Sequence, residues 1–158
     1  MPIVFQRSRR IAASPDRIWP FVDDVARWKD WFTEAEGGAV LAGAGVGRTQ
    51  RMTGHARGKA TQIDSRVTAY EPPHLLRWHH EEERVAGNVA PVVFAADAVA
   101  EVTIEPDGAG SNVTYRLIAE PGSLRNQLIL RLLARGPIGR SFETSLGRLA
   151  ALAEGSAG

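Results

Sequence analysis

The sequence predicts an α+β protein: a curved antiparallel sheet of about seven strands wrapped around one long C-terminal helix, with two short helices after the first strand. Three observations carry this expectation. Helical spacing is confined to a short stretch after residue 14 and to the last part of the chain. Between them, segments punctuated by glycine and proline alternate with a period of two. The connections between those segments are too short for crossovers, so consecutive strands must run antiparallel.

The first strand places Ile3, Phe5 and Ile11 on one parity and closes at Ala12-Ala13. Ser14-Pro15-Asp16 is a helix start, with Ser14 as a cap, proline at the first helical position and an acid for the dipole. Ile18, Trp19, Val22, Val25 and Trp28 then recur at spacings of three and four, but Pro20 and Asp23-Asp24 interrupt them, which predicts two short helices. Strands follow near residues 39–41, 47–53, 59–70, 75–84, 96–105 and 112–120. The reversals fall at Gly43-Ala44-Gly45, at Glu71-Pro72-Pro73 and at residues 106–110. From residue 124 the stripe Leu124, Leu128, Leu132, Ile138, Phe142, Leu146, Leu149 and Leu152 predicts a helix with one apolar face. Pro137 inside it removes a hydrogen bond and clashes with the carbonyl of Leu133, at a cost of about 3 kcal/mol, so a kink or break is expected at Gly136.

With 158 residues the chain suits one domain, 1–158, with its core at about 4–154. A formal net charge of +1 argues against a dedicated DNA or RNA binder. The absence of cysteine removes disulfides, thiolate metal sites and cysteine nucleophiles. No signal-peptide core precedes Arg7, so a cytoplasmic address is expected. The most apolar long stretch, residues 85–104, holds Asn88, Pro91, Asp97 and Glu101, which excludes a membrane-spanning helix there.

Four stretches carry a family resemblance: Ile11 to Trp19, Asp24 to Trp31, Val67 to Pro73, and the glycine-rich hairpin before Val113-Thr114-Tyr115-Arg116. With them the chain resembles the SRPBCC superfamily, the helix-grip fold shared by START lipid-transfer domains, birch-pollen-allergen proteins and polyketide cyclase/dehydrase-like proteins. The resemblance covers residues 4–154 and implies a cavity between sheet and helix. Members bind lipids, polyketides, quinones or plant hormones, and some are cyclases, aromatases or ring-hydroxylase subunits. Residues 85–95 depart from a minimal hairpin and are expected to act as a pocket lid or an oligomer contact.

The candidate site residues follow from parity. His79 and His80 point to opposite faces of a strand, so they cannot chelate one ion together, and Leu76, Trp78 and His80 form the more apolar, inward set. Arg77, His79, Glu81 and Glu83 are then expected outward. Ala98, Ala100, Val102 and Ile104 share one inward parity, and Val113, Tyr115, Leu117 and Ala119 another, while Glu101 alternates outward. Small alanines leave volume, and Tyr115 offers one hydroxyl among apolar walls. Trp28, Trp31 and Phe32 cluster at the end of the second short helix, either as core packing between that helix and the sheet edge or as a pocket rim that closes over a ligand, and Leu128, Leu132 and Phe142 supply the helical wall. Gly43-Ala44-Gly45-Val46-Gly47 is not a dinucleotide loop, because its third glycine falls one place early and a strand follows. No metal-ligand spacing and no cofactor motif is present.

The first expectation is therefore a protein that binds, or binds and transports, a small hydrophobic molecule such as a lipid, polyketide or quinone, acting as a monomer or homodimer. Filling the cavity with Ala100→Trp is expected to abolish binding. The alternative is a polyketide cyclase/dehydrase-type enzyme in which His80 or Tyr115 transfers a proton. A third reading uses Arg131 and Arg135 on the helix to contact RNA or the ribosome.

Overall fold

The computed structural model describes residues 2–92 and 95–155. Strand β1 (Ile3–Ile11) leads into α1 (Pro15–Asp23), a 3-10 turn (Val25–Arg27) and α2 (Trp28–Trp31). The strands β2 (Gly37–Ala42), β3 (Thr49–Ala56), β4 (Lys59–Glu71), β5 (Leu75–Val85), β6 (Asn88–Val89), β7 (Asp97–Asp107) and β8 (Gly110–Glu120) follow. The chain finishes with α3 (Leu124–Leu128), a π-helical segment (Ile129–Ala134) and α4 (Arg135–Gly155). The sheet order is β1-β8-β7-β5-β4-β3-β2, antiparallel throughout, with the two-residue β6 paired only to β5. This is the helix-grip architecture that the sequence predicts.

Helix α4 packs chiefly along β1, and its buried Phe142, Leu146, Leu149, Ala150 and Ala153 meet the apolar parities of β1, β7 and β8. Burial of an aromatic or leucine side chain contributes about 1.5–3 kcal/mol each, so this face holds the helix to the sheet.

Local details differ from the sequence reading in instructive ways. The Ser14 side chain makes no cap bond, and its backbone carbonyl accepts from the N–H groups of Arg17 and Ile18 instead. Helix α1 runs on through Pro20 at the loss of a single hydrogen bond, the one that would reach the Asp16 carbonyl in its first turn. The helix ends at Asp24, whose carboxylate accepts the Ala26 N–H and starts the 3-10 turn. The glycine run does form the β2–β3 connection, and Gly43, Gly45 and Gly47 all adopt positive φ, a conformation that only glycine takes without strain.

The helix does not break at Gly136. It is continuous from Leu124 to Gly155, and the turn just before Pro137 is π-helical. A π-helical turn is wider than an α-helical one, and placed directly before a proline it eases the clash that an α-helical turn would impose. It also shifts the phase of the apolar stripe. Leu130 is buried, whereas Leu128 and Leu132, expected on the inner wall, lie on the solvent side.

Candidate functional site

The inner face of the sheet, α2 and the first half of α4 enclose a cavity with two parts. The wide outer part, about 690 Å³, lies between the β3–β4 hairpin and the start of α4, with walls such as Met52, Ile63, Val92, Leu133 and Ile138. Its narrow inner end, about 40 Å³, is bounded by aromatic rings and four polar side chains, Glu34, Ser65, His80 and Tyr115. Glu34, Met52, Ile63 and Ile138 border both parts, so the two adjoin.

The aromatic wall is locked by mutual packing. Tyr115 meets Phe142 edge-on at 4.3 Å and Phe32 at 5.1 Å, and Trp28 lies 4.8 Å from Trp78 between ring centroids. Trp28 Nε1 donates to the carbonyl of Val22 at 2.8 Å, and Trp31 Nε1 donates to that of Phe21 at 2.9 Å. Both indoles are thereby fixed to α1 by their polar edges, and the wall is preorganised.

His80 joins the buried Ser65 and Tyr115 at this end, with its own side chain 8% exposed. A β-bulge sets it there together with an unexpected partner. β4 and β5 pair Asp64 with Glu82 and Ser65 with His80, so Glu81 has no counterpart and the parity of β5 flips beyond it. Glu83, expected outward with His79, is brought opposite Ile63 on the cavity face. Its Oε2 lies 3.5 Å from His80 Nδ1, a buried nitrogen with no hydrogen-bond partner, while its Oε1 accepts the Val92 N–H at 2.8 Å. A carboxylate behind Nδ1 favours the tautomer that carries its proton there and leaves Nε2 as an acceptor. His79 lies on the other face as expected, 2.5 Å from Asp97.

Glu34 sits in the coil between α2 and β2, open to the cavity. Ser141 of α4 donates to its Oε1 at 3.2 Å. Surrounding protein displaces water from the carboxyl and raises its pKa, against smaller lowering effects of Ser141 and of charge on His80. Burial likewise raises the Tyr115 hydroxyl well above its ordinary pKa, with the negative charge of Glu34 acting in the same direction. Both shifts run toward the protonated forms, at Tyr115 in a buried position and at Glu34 in an exposed one, and the inner end presents several hydrogen-bonding groups without a fixed positive charge. Gly54 makes this possible from below, since a Cβ there would stand 2.0 Å from the Glu34 carbonyl oxygen. Only glycine lets β3 approach the Glu34 backbone so closely.

Of the residues predicted from sequence, the fold brings Trp28, Phe32, Trp78, His80, Tyr115, Leu117 and Phe142 together around the inner end. Trp31 lies in the packed core beside α1, and Ala100 and Val102 are buried within the sheet's packed face rather than at the cavity. Ala100→Trp would consequently overpack the core and is not a clean cavity-filling change. Leu128 and Leu132 are outside the cavity because of the phase shift described above. Glu101 points to the outer face as expected but is buried there between Arg77 at 2.8 Å and Arg116 at 3.4 Å. Glu34, Ser65, Met52 and Ile63 were not singled out by the sequence reading, and Ile138 was named only as part of the apolar helical stripe. A carboxylate two residues after the aromatic Trp31-Phe32 pair was the available signal for Glu34. Among the described residues, no group of three His, Asp or Glu side chains is placed to hold a metal ion.

The family model described as "Polyketide cyclase / dehydrase and lipid transport" matches residues 2–154, and the chain belongs to that family. No curated protein matches it. Among solved structures, TTHA0849 from Thermus thermophilus superposes with a TM-score of 0.77 at 19% identity, covering 99% of this chain and 100% of that one. The Zhui aromatase/cyclase from Streptomyces sp. R1128 gives a TM-score of 0.73 at 14% identity over 98% and 94% of the two chains. Ginseng major latex-like protein 151 from Panax ginseng gives 0.68 at 12% identity over 95% and 96%. These likenesses establish the helix-grip fold.

Proposed function

We propose that the protein binds a small, mostly apolar molecule in the wide cavity and orients it by a polar group placed against Glu34, His80 and Tyr115. The observation that carries this reading is a chamber of about 690 Å³ with apolar walls that ends on a buried, hydrogen-bonding inner face. A ligand that loses about 300 Å² of apolar surface gains roughly 7 kcal/mol at 25 cal/mol per Å², before the cost of association, which corresponds to micromolar or weaker binding. Titration calorimetry with 1-naphthol tests it. The wild type is expected to bind, and Ile138→Trp, which fills the space shared by both parts of the cavity, is expected to weaken binding by at least about tenfold with the circular dichroism unchanged. Equal affinity in the variant would contradict the placement.

A second reading is favoured by the Glu83–His80 pair. An imidazole oriented by a carboxylate can take a proton at Nε2, and with Tyr115 as donor it suits cyclisation or dehydration of a polyketide-like chain. This reading expects turnover of a poly-β-ketone thioester to be lost in His80→Ala while binding is retained. Turnover that survives His80→Ala would remove it.

A further inference from the structure

From Pro121 to Phe142 the chain contains Arg125, Arg131, Arg135 and Arg140 and no aspartate or glutamate. Over the same stretch, α3 and the π-helical segment expose Leu124 (85%), Leu128 (60%), Leu132 (71%) and Leu133 (73%), the densest run of exposed large apolar side chains in the described residues. Leu124, Leu128 and Leu132 repeat at four-residue intervals and form a ridge. Arg125, Arg131 and Arg140 make no ion pair among the described residues, while the Arg135 guanidinium lies 6.0 Å above the Phe5 ring. Scattered exposed leucines need no explanation, but a contiguous leucine ridge beside unpaired arginines marks an interaction surface.

The ridge is also the outer side of the turn that closes the cavity, since Ile129, Ala134 and Pro137 line the wide chamber and the exposed Leu133 stands at its mouth. We propose that the outer face of residues 124–135 docks on an anionic membrane surface, with Leu124, Leu128 and Leu132 entering the headgroup–acyl boundary and Arg125 and Arg131 meeting lipid phosphates. An amphipathic helix that combines leucines with arginines binds an interface through both apolar burial and attraction to anionic headgroups. The charge pattern selects this occupant. A second copy of the chain in a two-fold contact would set the same uncompensated arginines against each other. RNA would neutralise the arginines but leave the leucine ridge in water. Docking there places the mouth of the cavity against the bilayer, where an apolar ligand resides.

Co-sedimentation of the full chain with vesicles of equimolar phosphatidylcholine and phosphatidylglycerol tests the proposal, with pure phosphatidylcholine vesicles as the comparison. The wild type is expected to partition onto the anionic vesicles, at least about tenfold more strongly than onto neutral ones. Leu128→Ser/Leu132→Ser is expected to lose at least about tenfold in partitioning with an unchanged melting temperature, because both side chains are exposed. Arg125→Gln/Arg131→Gln is expected to abolish the preference for anionic lipid. Absence of wild-type partitioning, or full partitioning of the leucine variant, overturns the proposal. So does a wild-type dimer that the leucine variant converts to monomer without any vesicle binding, which assigns the ridge to a second copy. Displacement by an oligoribonucleotide with no loss in the leucine variant assigns the basic face to RNA and likewise overturns it. The vesicles carry no cavity ligand, so failure here is separable from failure of the binding reading.

Discussion

The two halves of the C-terminal helical stretch carry large apolar residues at helical spacing and meet opposite surroundings. In α4, Phe142, Leu146 and Leu149 are buried against the sheet, and Phe142 locks Tyr115 at the inner end of the cavity. In α3 and the π-helical segment, Leu124, Leu128 and Leu132 face solvent. Periodicity identifies a face of a helix, but what covers the face is decided by the elements within reach. α4 lies along β1, whereas α3 packs chiefly against the π-helical segment, which borders the wide cavity. The π turn between them resets the phase, so the two apolar faces are not continuous.

The largest test of this contrast is truncation at the buried end. Phe142→Ala is expected to lower stability by about 3–5 kcal/mol in denaturant unfolding, since it removes the ring on which Tyr115 packs. A loss as small as that of a surface residue would show that the α4 contact is not what holds the site. Next comes Gly54→Ala, which forces a methyl group against the Glu34 carbonyl. It is expected to cost about 1–3 kcal/mol and to weaken 1-naphthol binding as well, because the loop carrying Glu34 must shift. Unaltered affinity would detach Glu34 from the ligand.

A smaller effect is expected at high pH. The folded protein holds the Tyr115 proton more tightly than the unfolded chain does, so the stability it contributes is complete below the ordinary tyrosine pKa of about 10 and is lost as the pH rises through and beyond it. Tyr70 is raised in the same direction, chiefly by burial and also by Asp23, to which its hydroxyl donates. Alkaline unfolding followed by circular dichroism is therefore expected to show a fall in stability that is reduced in Tyr115→Phe. The same fall in that variant would mean that the hydroxyl is not sequestered. The smallest effect is on the exposed ridge, where Leu132→Ala is expected to change stability by less than about 0.5 kcal/mol. A loss of several times that size would mean that the ridge is packed against the protein.

Most of the fold was legible in the sequence because its signals are local. The reversals at Gly43-Ala44-Gly45 and at residues 106–110, the alternation along β7 and β8, and the start of α1 at Pro15 each rest on a few adjacent residues. The inner end of the cavity was legible in part for the same reason, since alternation alone puts Trp78, His80 and Tyr115 on the apolar face. What escaped the sequence depends on non-local geometry. The bulge at Glu81 is a property of the pairing of β4 with β5, and it turns Glu83 from solvent to the back of His80. Glu34 lies in coil, where no periodicity reports a facing direction, and its place depends on the approach of Gly54 and Ser141 from two other elements. Leu128 and Leu132 were misplaced because the phase shift of a π turn leaves no mark in a stripe of leucines.

The account rests on the wide cavity holding an apolar ligand, and native mass spectrometry of the purified full chain, before and after incubation with 1-naphthol, tests that most directly. The structure leads us to expect a non-covalent adduct in the wild type that is lost on denaturation and is absent from Ile138→Trp. No adduct in the wild type, or equal adducts in both proteins, would contradict it.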